Sequence, residues 1–194
     1  MKKLKKINHL IIEDDSNIEY KNKGYKPVYV VDSAAKILII GQAPGIKAQE
    51  SGRVFEDKSG NELRHWLGVS YEEFYNKENF AILPMDFFYP GSGKTGDLPP
   101  RKDFAEKWHS LIINELKEIK LIILMGNYAI KYYLGDKYQK NLTNTVRNYY
   151  LYLPKYFPIV HSSPLNFRWH AKNPWFKEEV VPKLSEIVSK IIKG

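Results

Sequence analysis

The sequence predicts a three-layer α/β fold, in which a four-stranded, mainly parallel sheet carries helices on both faces. Four short aliphatic runs of strand length recur along the 194 residues, and stretches with helical periodicity separate them. The first and the last of these runs end in loops that contain Gly or Pro. Strands that alternate with helices form parallel sheets through right-handed crossovers, so this pattern excludes an all-helical or all-β chain.

The elements follow one another regularly along the chain. The predicted strands are residues 36–40, 80–83, 121–125 and 158–160, and the predicted helices are residues 60–67, 102–117, 127–134 and 176–192. Residues 36–40 form a continuous aliphatic run, which is typical of a strand buried on both faces. Before the sheet, residues 2–14 predict a basic amphipathic helix and residues 22–26 a polar connector. We expect one domain over residues 1–194, with residues 1–30 as a helical appendage.

The composition narrows the class of protein. A hydrophobic content of 43% is enough for a sizeable core. The formal charge of +8 favours a polyanionic partner, with ordinary solubility as the alternative, and 14% aromatic residues add surfaces on which bases can stack. The absence of cysteine excludes disulfides, thiolate catalysis and cysteine-bound metal. The apolar run at residues 7–12 is too short and interrupted for a signal peptide, and no run could span a bilayer, so we expect a cytoplasmic protein.

Two loops carry the candidate chemistry, and each directly follows an apolar strand-like run. They are GQAPG at residues 41–45 and HSSPLN at residues 161–166. Glycine in the first loop allows a ligand to approach the backbone closely. Because ligands bind at the carboxyl ends of strands in open α/β sheets, we expect the two loops to border one site.

These loops resemble the two active-site motifs of the uracil-DNA glycosylase superfamily. The first loop, followed by GRVF at residues 52–55 and SGNEL at residues 59–63, is similar to the first motif of the family-four enzymes. HSSPL is similar to the His-Pro-Ser-Pro-Leu loop of several branches. The resemblance covers roughly residue 36 to the C-terminus. It implies a monomeric enzyme that flips a deaminated base, most often uracil, out of DNA and hydrolyses its glycosidic bond without metal or cofactor.

The resemblance assigns roles to three side chains. His161 would donate a hydrogen bond to the carbonyl oxygen on which the departing base carries its charge. Leu165 would push into the base stack, and Phe55 would stack on the extruded base. The alternatives are a histidine that only caps a strand end, a core leucine and a core phenylalanine.

The sequence departs from the family pattern where the attacking water is positioned. Family-four enzymes have Glu where this chain has Gln42, and other branches have Asp or Asn at the place of Ala43. An amide cannot act as a general base, although Gln42 could orient a water or bond the base. We therefore expect another carboxylate to act on the water. Asp86, at the end of the second strand, is favoured over Glu50 and Asp57, with an ordinary solvated acid as the alternative.

The sequence also departs from the family pattern in two other respects, which are the iron–sulfur cluster and the recognition of the base. Family-four enzymes hold an iron–sulfur cluster on four cysteines, so this chain resembles a branch without the cluster. Similar enzymes read uracil with an Asn near the end of the second strand, and residues 82–86 contain none. Asn127 could face the pocket instead, with helix capping as the alternative. The preferred base is thus open between uracil and another lesion such as hypoxanthine, and a nucleic-acid-binding member that has lost hydrolysis is the rival interpretation.

The remaining predictions concern DNA contacts. The Gly- and Pro-rich loop at residues 89–101 predicts backbone contacts through Lys94 and Arg101, with a solvated loop as the alternative. It does not fit a Walker phosphate loop, because Phe88 stands where that pattern requires glycine. In the basic and aromatic segment at residues 168–176, Arg168 and Lys172 would hold phosphates of the same DNA, whereas Trp175 and Phe176 are more typical of anchors between the terminal helix and the core. The predicted base-pocket residues are Gly41, Ala43, Pro44, Gly45, Phe55 and Asn127, and the predicted DNA contacts are Ser163, Pro164, Leu165, Asn166, Arg168, Lys172, Lys94 and Arg101.

Overall fold

A four-stranded parallel sheet forms the centre of the computed structural model, which describes residues 2–94 and 96–194. The strands in chain order are β1 (Ile37–Ile40), β2 (Phe80–Ile82), β3 (Ser92–Gly93), β4 (Gly96–Asp97), β5 (Leu121–Met125) and β6 (Tyr156–Ile159). The sheet has the order β2-β1-β5-β6, and each neighbouring pair is parallel. Strands β3 and β4 form a separate antiparallel hairpin. The predicted α/β sheet is confirmed.

Helices surround this sheet. In chain order they are α1 (Lys2–Glu13), α2 (Ile18–Asn22), α3 (Ile46–Ser51), α4 (Lys58–Leu67), α5 (Tyr71–Tyr75), α6 (Phe104–Ile113), α7 (Asn127–Leu134), α8 (Leu142–Arg147), α9 (Phe167–Lys172) and α10 (Val181–Lys193). No helix in the part of the chain that the structure describes is long and apolar enough to cross a membrane.

The long predicted helices are found, but two of them differ in extent. Helix α6 ends at Ile113, and residues 114–116 continue as turns, in which Leu116 is buried. The last predicted helix is divided into a π-helical turn, Phe176–Val180, and α10. Pro182 lacks the N–H that would continue the ladder into that turn, which is a common reason for such an irregularity.

Burial explains why the central strands are continuous apolar runs in the sequence. Every residue of β1 and of β5 is buried, as expected for inner strands covered on both faces. Helix α4 packs against α10, and Trp66 of α4 meets Phe176 edge to face with ring centroids 4.9 Å apart. This packing holds α4 near its C-terminal end, and Ser59 near its N-terminal end borders the cavity described below.

The N-terminal segment is bonded to the rest of the fold. Helix α1 packs against α6 and buries Ile7 and Ile11. Further along, Val30 pairs with Ile82 of β2 in an isolated antiparallel bridge. The predicted helix at residues 2–14 is therefore present, and its apolar face supplies core contacts.

Candidate active site

A cavity of about 410 Å³ opens at the carboxyl ends of β1 and β6. Residues from both predicted loops line it: Gly41, Gln42, Ala43, Pro44, Gly45, His161 and Ser163. The stretch at residues 53–57 and Asp97 of β4 complete much of the wall, and Ile82, Pro84 and Met125 lie at or just beyond the ends of β2 and β5. The two loops therefore share one concave site.

The first loop brings its backbone close to the cavity floor. A side chain on Gly41 would begin 3.3 Å from Met125 Cε and 4.0 Å from the tip of the Phe55 ring. The carbonyl of Gly41 accepts the N–H of Met85, and this bond holds the loop against the chain that follows β2. A larger residue at position 41 would narrow the site, so glycine keeps this part of the cavity open.

Phe55 enters the cavity from a constrained backbone. Its φ of 58° is the one positive value at a non-glycine residue in the described ranges 2–94 and 96–194. This left-handed conformation costs roughly 1–2 kcal/mol. Arg64 Nη1 holds it by donating to the Phe55 carbonyl at 3.0 Å, and Gly60 makes room for it, since a Cβ there would lie 1.7 Å from the same oxygen. The ring packs edge-on against Phe74 and presents a flat apolar surface to the cavity.

The hydrogen bonds of His161 fix its tautomer. Nδ1 accepts the backbone N–H of Ser163 at 3.1 Å, so Nδ1 cannot carry a proton. Burial lowers the pKa of His161, and the nearby charges of Asp57 and Asp97 offset this only in part. The imidazole is therefore neutral at pH 7 and carries its proton on Nε2. Asn166 donates to the His161 carbonyl at 2.6 Å and holds the loop backbone behind the ring.

Two of the acids that line the cavity have partners. Glu56 accepts hydrogen bonds from Arg53 at 2.8 Å and from the Tyr71 hydroxyl at 2.6 Å. Asp57 caps α4, because its Oδ1 accepts the Gly60 N–H at 3.0 Å. Both side chains thus have structural functions at this rim of the cavity.

Asp97 has a different environment. It lies at the end of the β3–β4 hairpin, and its Oδ2 is 3.8 Å from the point where a Cβ on Gly45 would be. Among residues 2–94 and 96–194, no side-chain hydrogen bond or ion pair engages its carboxylate, and no group of three His, Cys, Asp or Glu is placed to hold a metal ion. Asp97 could not be predicted as a site residue, since nothing in the sequence indicates that the hairpin folds back to the first loop.

Asp86 does not lie on the cavity, which corrects the prediction that it acts on the water. Its side chain is fully buried, and Arg101 bonds both carboxylate oxygens at 2.7 and 2.8 Å. The backbone N–H of Phe88 donates to it as well. The predicted phosphate contact of Arg101 is corrected by the same pair, because Arg101 is committed to Asp86 and to the carbonyl of Ser16.

Asn127 also lies outside the cavity lining. It is the first residue of α7, but Gly126 occupies the capping position and the Asn127 side chain makes no capping bond. Its Oδ1 accepts instead from the Tyr138 hydroxyl at 2.9 Å. Neither the pocket role nor the capping role predicted for Asn127 is observed.

The second loop ends in an exposed apolar tip, which we define as Leu165 and Phe167. Leu165 is 79% exposed and Phe167 is 62% exposed, so the alternative that Leu165 packs into the core is excluded. Ser163 Oγ accepts the N–H of Leu165 at 3.3 Å and shapes the short turn that carries it. Phe167 was not singled out from the sequence, because a single aromatic gives no signal of its exposure.

Exposed cations follow this tip along the chain. Arg168 and Lys172 are exposed on α9, which begins at Phe167, and Lys94 is exposed in the β3–β4 hairpin. A second cavity, of about 380 Å³, lies beside the tip and is lined in part by Lys58 and by Lys177, which pairs with Glu62 at 2.6 Å. Trp175 and Phe176, in contrast, are buried and anchor the chain that leads into α10.

A comparison with family models identifies the superfamily of the chain. The model described as Uracil DNA glycosylase superfamily matches residues 28–185, which is most of the chain and includes both loops. The chain belongs to the uracil DNA glycosylase superfamily. The match begins somewhat earlier than the resemblance read from the motifs, in the stretch that pairs with β2.

Proposed function

We propose that the protein is a monofunctional DNA glycosylase that flips a deaminated base, most readily uracil, out of DNA and hydrolyses its N-glycosidic bond in base excision repair. The observation that carries this proposal is a neutral His161 on the cavity shared by both loops, with Nε2–H as its remaining donor. Superfamily membership supports the same class of reaction.

The cavity suits one extruded base. Its volume of about 410 Å³ falls within the usual range for small-ligand sites, and the ring of Phe55 lines it. A flat base in the cavity would stack on this aromatic ring, which accepts any base face. The strained φ of Phe55 supports a functional position, because strain of this kind concentrates at ligand sites.

His161 would act on the leaving base. As the bond between C1′ and the base nitrogen breaks, its electron pair moves into the base and negative charge develops on a carbonyl oxygen. A preorganised N–H beside that oxygen stabilises the transition state, and the loss of one such donor costs about 10²–10³ in rate. A neutral imidazole held by the Ser163 N–H is already oriented, so it needs no rearrangement during the reaction.

The exposed apolar tip would hold the duplex open. Leu165 and Phe167 stand out from the protein beside the cavity mouth, where an inserted side chain can fill the space left by a flipped base. Arg168, Lys172 and Lys94 are exposed cations that would contact phosphates on either side. Such contacts position the DNA without reading its sequence.

The cavity offers few polar side chains that could recognise the base. No asparagine is among the residues that line the cavity in the described ranges, and Gln42 Nε2 is directed to the Leu98 carbonyl at 3.4 Å. Sites that lack matched donors and acceptors discriminate weakly between similar bases. We therefore propose a preference for uracil with measurable release of other deaminated bases such as hypoxanthine.

Single-turnover excision on short oligonucleotides tests the proposal. Single- and double-stranded substrates would carry uracil, hypoxanthine or thymine opposite guanine, and abasic products would be cleaved with alkali. We expect uracil release by the wild-type protein and a 10²–10³-fold lower rate for His161→Ala with unchanged DNA affinity. His65→Ala, at an exposed histidine outside the cavity lining, is the matched control. If the protein binds DNA but releases no base, the proposal of an enzyme would be wrong. The protein would then be a nucleic-acid-binding member of the superfamily.

A further inference from the structure

We propose that Asp97, at the end of the β3–β4 hairpin, is the catalytic carboxylate that positions and deprotonates the attacking water. This inference rests on the proposed glycosylase function and deepens it. It supplies the group that the first loop lacks, because Gln42 and Ala43 stand where related enzymes carry the residue that acts on water.

The distribution of acids around the cavity favours Asp97. In residues 2–94 and 96–194, the carboxylates that line the cavity belong to Glu56, Asp57 and Asp97. Glu56 is held by Arg53 and Tyr71, and Asp57 caps α4 through one of its oxygens. A general base needs a free carboxylate oxygen within reach of the water. Asp97 meets this condition without giving up a structural bond.

The hairpin places Asp97 against the first loop. Its Oδ2 lies in van der Waals range of the site that a Cβ on Gly45 would occupy, so the carboxylate is next to the loop on which related enzymes carry their own acid. Gln42 Nε2 donates to the carbonyl of Leu98, the residue after Asp97, at 3.4 Å. Gln42 is thus a positioning residue, whose amide ties the hairpin to the loop.

Asp97 shares the cavity with His161, because both residues line it. The charge of Asp97 raises the pKa of His161 against the lowering caused by burial, which agrees with this placement. A base bound between them would have His161 on its carbonyl and Asp97 towards its sugar. Asp97 is exposed to solvent, so a water can reach it from the cavity mouth.

The reaction step balances as a hydrolysis. The water oxygen forms a bond to C1′ of the deoxyribose, and the bond from C1′ to the base nitrogen breaks with its electron pair moving into the base. The Asp97 carboxylate takes the proton that the water loses. That proton passes through solvent to the base anion, so the products are an abasic sugar with a hydroxyl on C1′ and a neutral free base.

The isosteric variant Asp97→Asn tests the proposal under single-turnover conditions. We expect the excision rate to fall by about 10²–10⁴, the usual contribution of a general base. Binding to an oligonucleotide with a hydrolysis-resistant uracil nucleotide, followed by fluorescence anisotropy, should stay within about twofold. Asp103→Asn, on the same connection but outside the cavity lining, is the matched control and should keep the wild-type rate.

Gln42→Ala separates positioning from catalysis. We expect a smaller loss of rate with unchanged DNA affinity, and no further loss when the substitution is added to Asp97→Asn, because Gln42 would act only through Asp97. Additive losses in the double variant would contradict the positioning role of Gln42.

The outcomes distinguish this inference from the function on which it rests. Base release by the wild-type protein with Asp97→Asn within twofold of it would overturn the role of Asp97 and leave the glycosylase in place. A large loss in Asp57→Asn with an unaffected Asp97→Asn would transfer the role to Asp57. No release by the wild-type protein on any substrate would overturn both proposals. Thermal melting of each variant by circular dichroism would identify a loss due to unfolding, and Asp97→Ser offers a second variant in that case.

Discussion

Asp86 and Asp97 lie on the same connection between β2 and α6, yet their environments are opposite. Asp86 is fully buried and bonded through both oxygens to Arg101, whereas Asp97 is exposed on the cavity with no such partner among the described residues. The first stabilises the fold and the second is available for chemistry. Whether an acid faces a site is therefore decided by the direction and the partners of its side chain. Its position just after a strand is not enough.

The Arg101 cluster shows what the buried acid is for. Besides Asp86, the guanidinium bonds Asn17 at 2.8 Å and lies 4.9 Å from the Tyr20 ring and 4.4 Å from the Phe104 ring. A planar, bidentate cation can satisfy a buried carboxylate and stack on aromatic faces at the same time. The cluster joins the N-terminal segment to the chain that leads into α6.

The largest effect on stability is expected from breaking this ion pair. Removing one partner of a buried pair leaves an uncompensated charge and costs about 3–5 kcal/mol, so Arg101→Ala should lower the free energy of unfolding by that amount. Urea unfolding measures it, and Lys183→Ala, in an exposed pair with Glu186, should leave the value unchanged within error. The excision rate per folded molecule should not change. If Arg101→Ala is as stable as the wild-type protein but excises the base much more slowly, the Asp86–Arg101 pair acts in catalysis, which would contradict the structural role given to Asp86.

The next effect concerns His109, which lies behind the cavity wall. Its Nε2 donates to the Pro84 carbonyl at 2.9 Å, its Nδ1 accepts from the Tyr133 hydroxyl at 2.6 Å, and burial lowers its pKa to about 4. An unfolded histidine titrates near 6.5, so the unfolded state binds more protons between these values. The contribution of His109 to the free energy of unfolding should therefore be fully present above about pH 6.5. The free energy of unfolding should fall by about 3 kcal/mol as the pH drops to about 4.

Urea unfolding across this pH range checks the His109 prediction. His109→Gln should lose most of this dependence on pH, while His65→Ala, at an exposed histidine, should retain it. Identical pH profiles for His109→Gln and the wild-type protein would contradict the assignment. His161 contributes in the same direction, because burial lowers its pKa too. The quantity that reports on His109 is therefore the difference between the pH profiles of the wild-type protein and His109→Gln.

The smallest of these effects is expected at the exposed apolar tip. Leu165→Ala should lower excision from double-stranded DNA by about tenfold and affect single strands less, because unstacking costs a few kcal/mol in a duplex. Single-turnover rates on the two substrates measure the ratio. Leu151→Ala is the control, since Leu151 is 60% exposed but outside the cavity lining. Equal losses on both substrates would argue against insertion of Leu165 into the stack.

The sheet and the convergence of the two loops could be predicted from the sequence. The continuous apolar runs of β1 and β5 are a direct result of burial on both faces, and parallel strands bring their carboxyl ends to one edge. The short helices α2, α3, α5, α8 and α9 could not be predicted, because five or six residues are too few to show a helical period.

The side-chain environments could not be predicted in the same way. The pairing of Asp86 with Arg101 and the approach of Asp97 to Gly45 depend on how one long connection folds back on itself. Neither contact leaves a periodic signal in the sequence. Gly60 could have been a clue, since a glycine inside a helical pattern often marks a close backbone approach, in this case that of Phe55.

The most direct test of the account compares single-turnover uracil excision by the wild-type protein, Asp97→Asn and Asp86→Asn, with each rate corrected for the fraction of folded protein. We predict uracil release by the wild-type protein, a loss of at least about 10²-fold in Asp97→Asn, and an unchanged corrected rate in Asp86→Asn. Wild-type rates in Asp97→Asn together with a large loss in Asp86→Asn would contradict it.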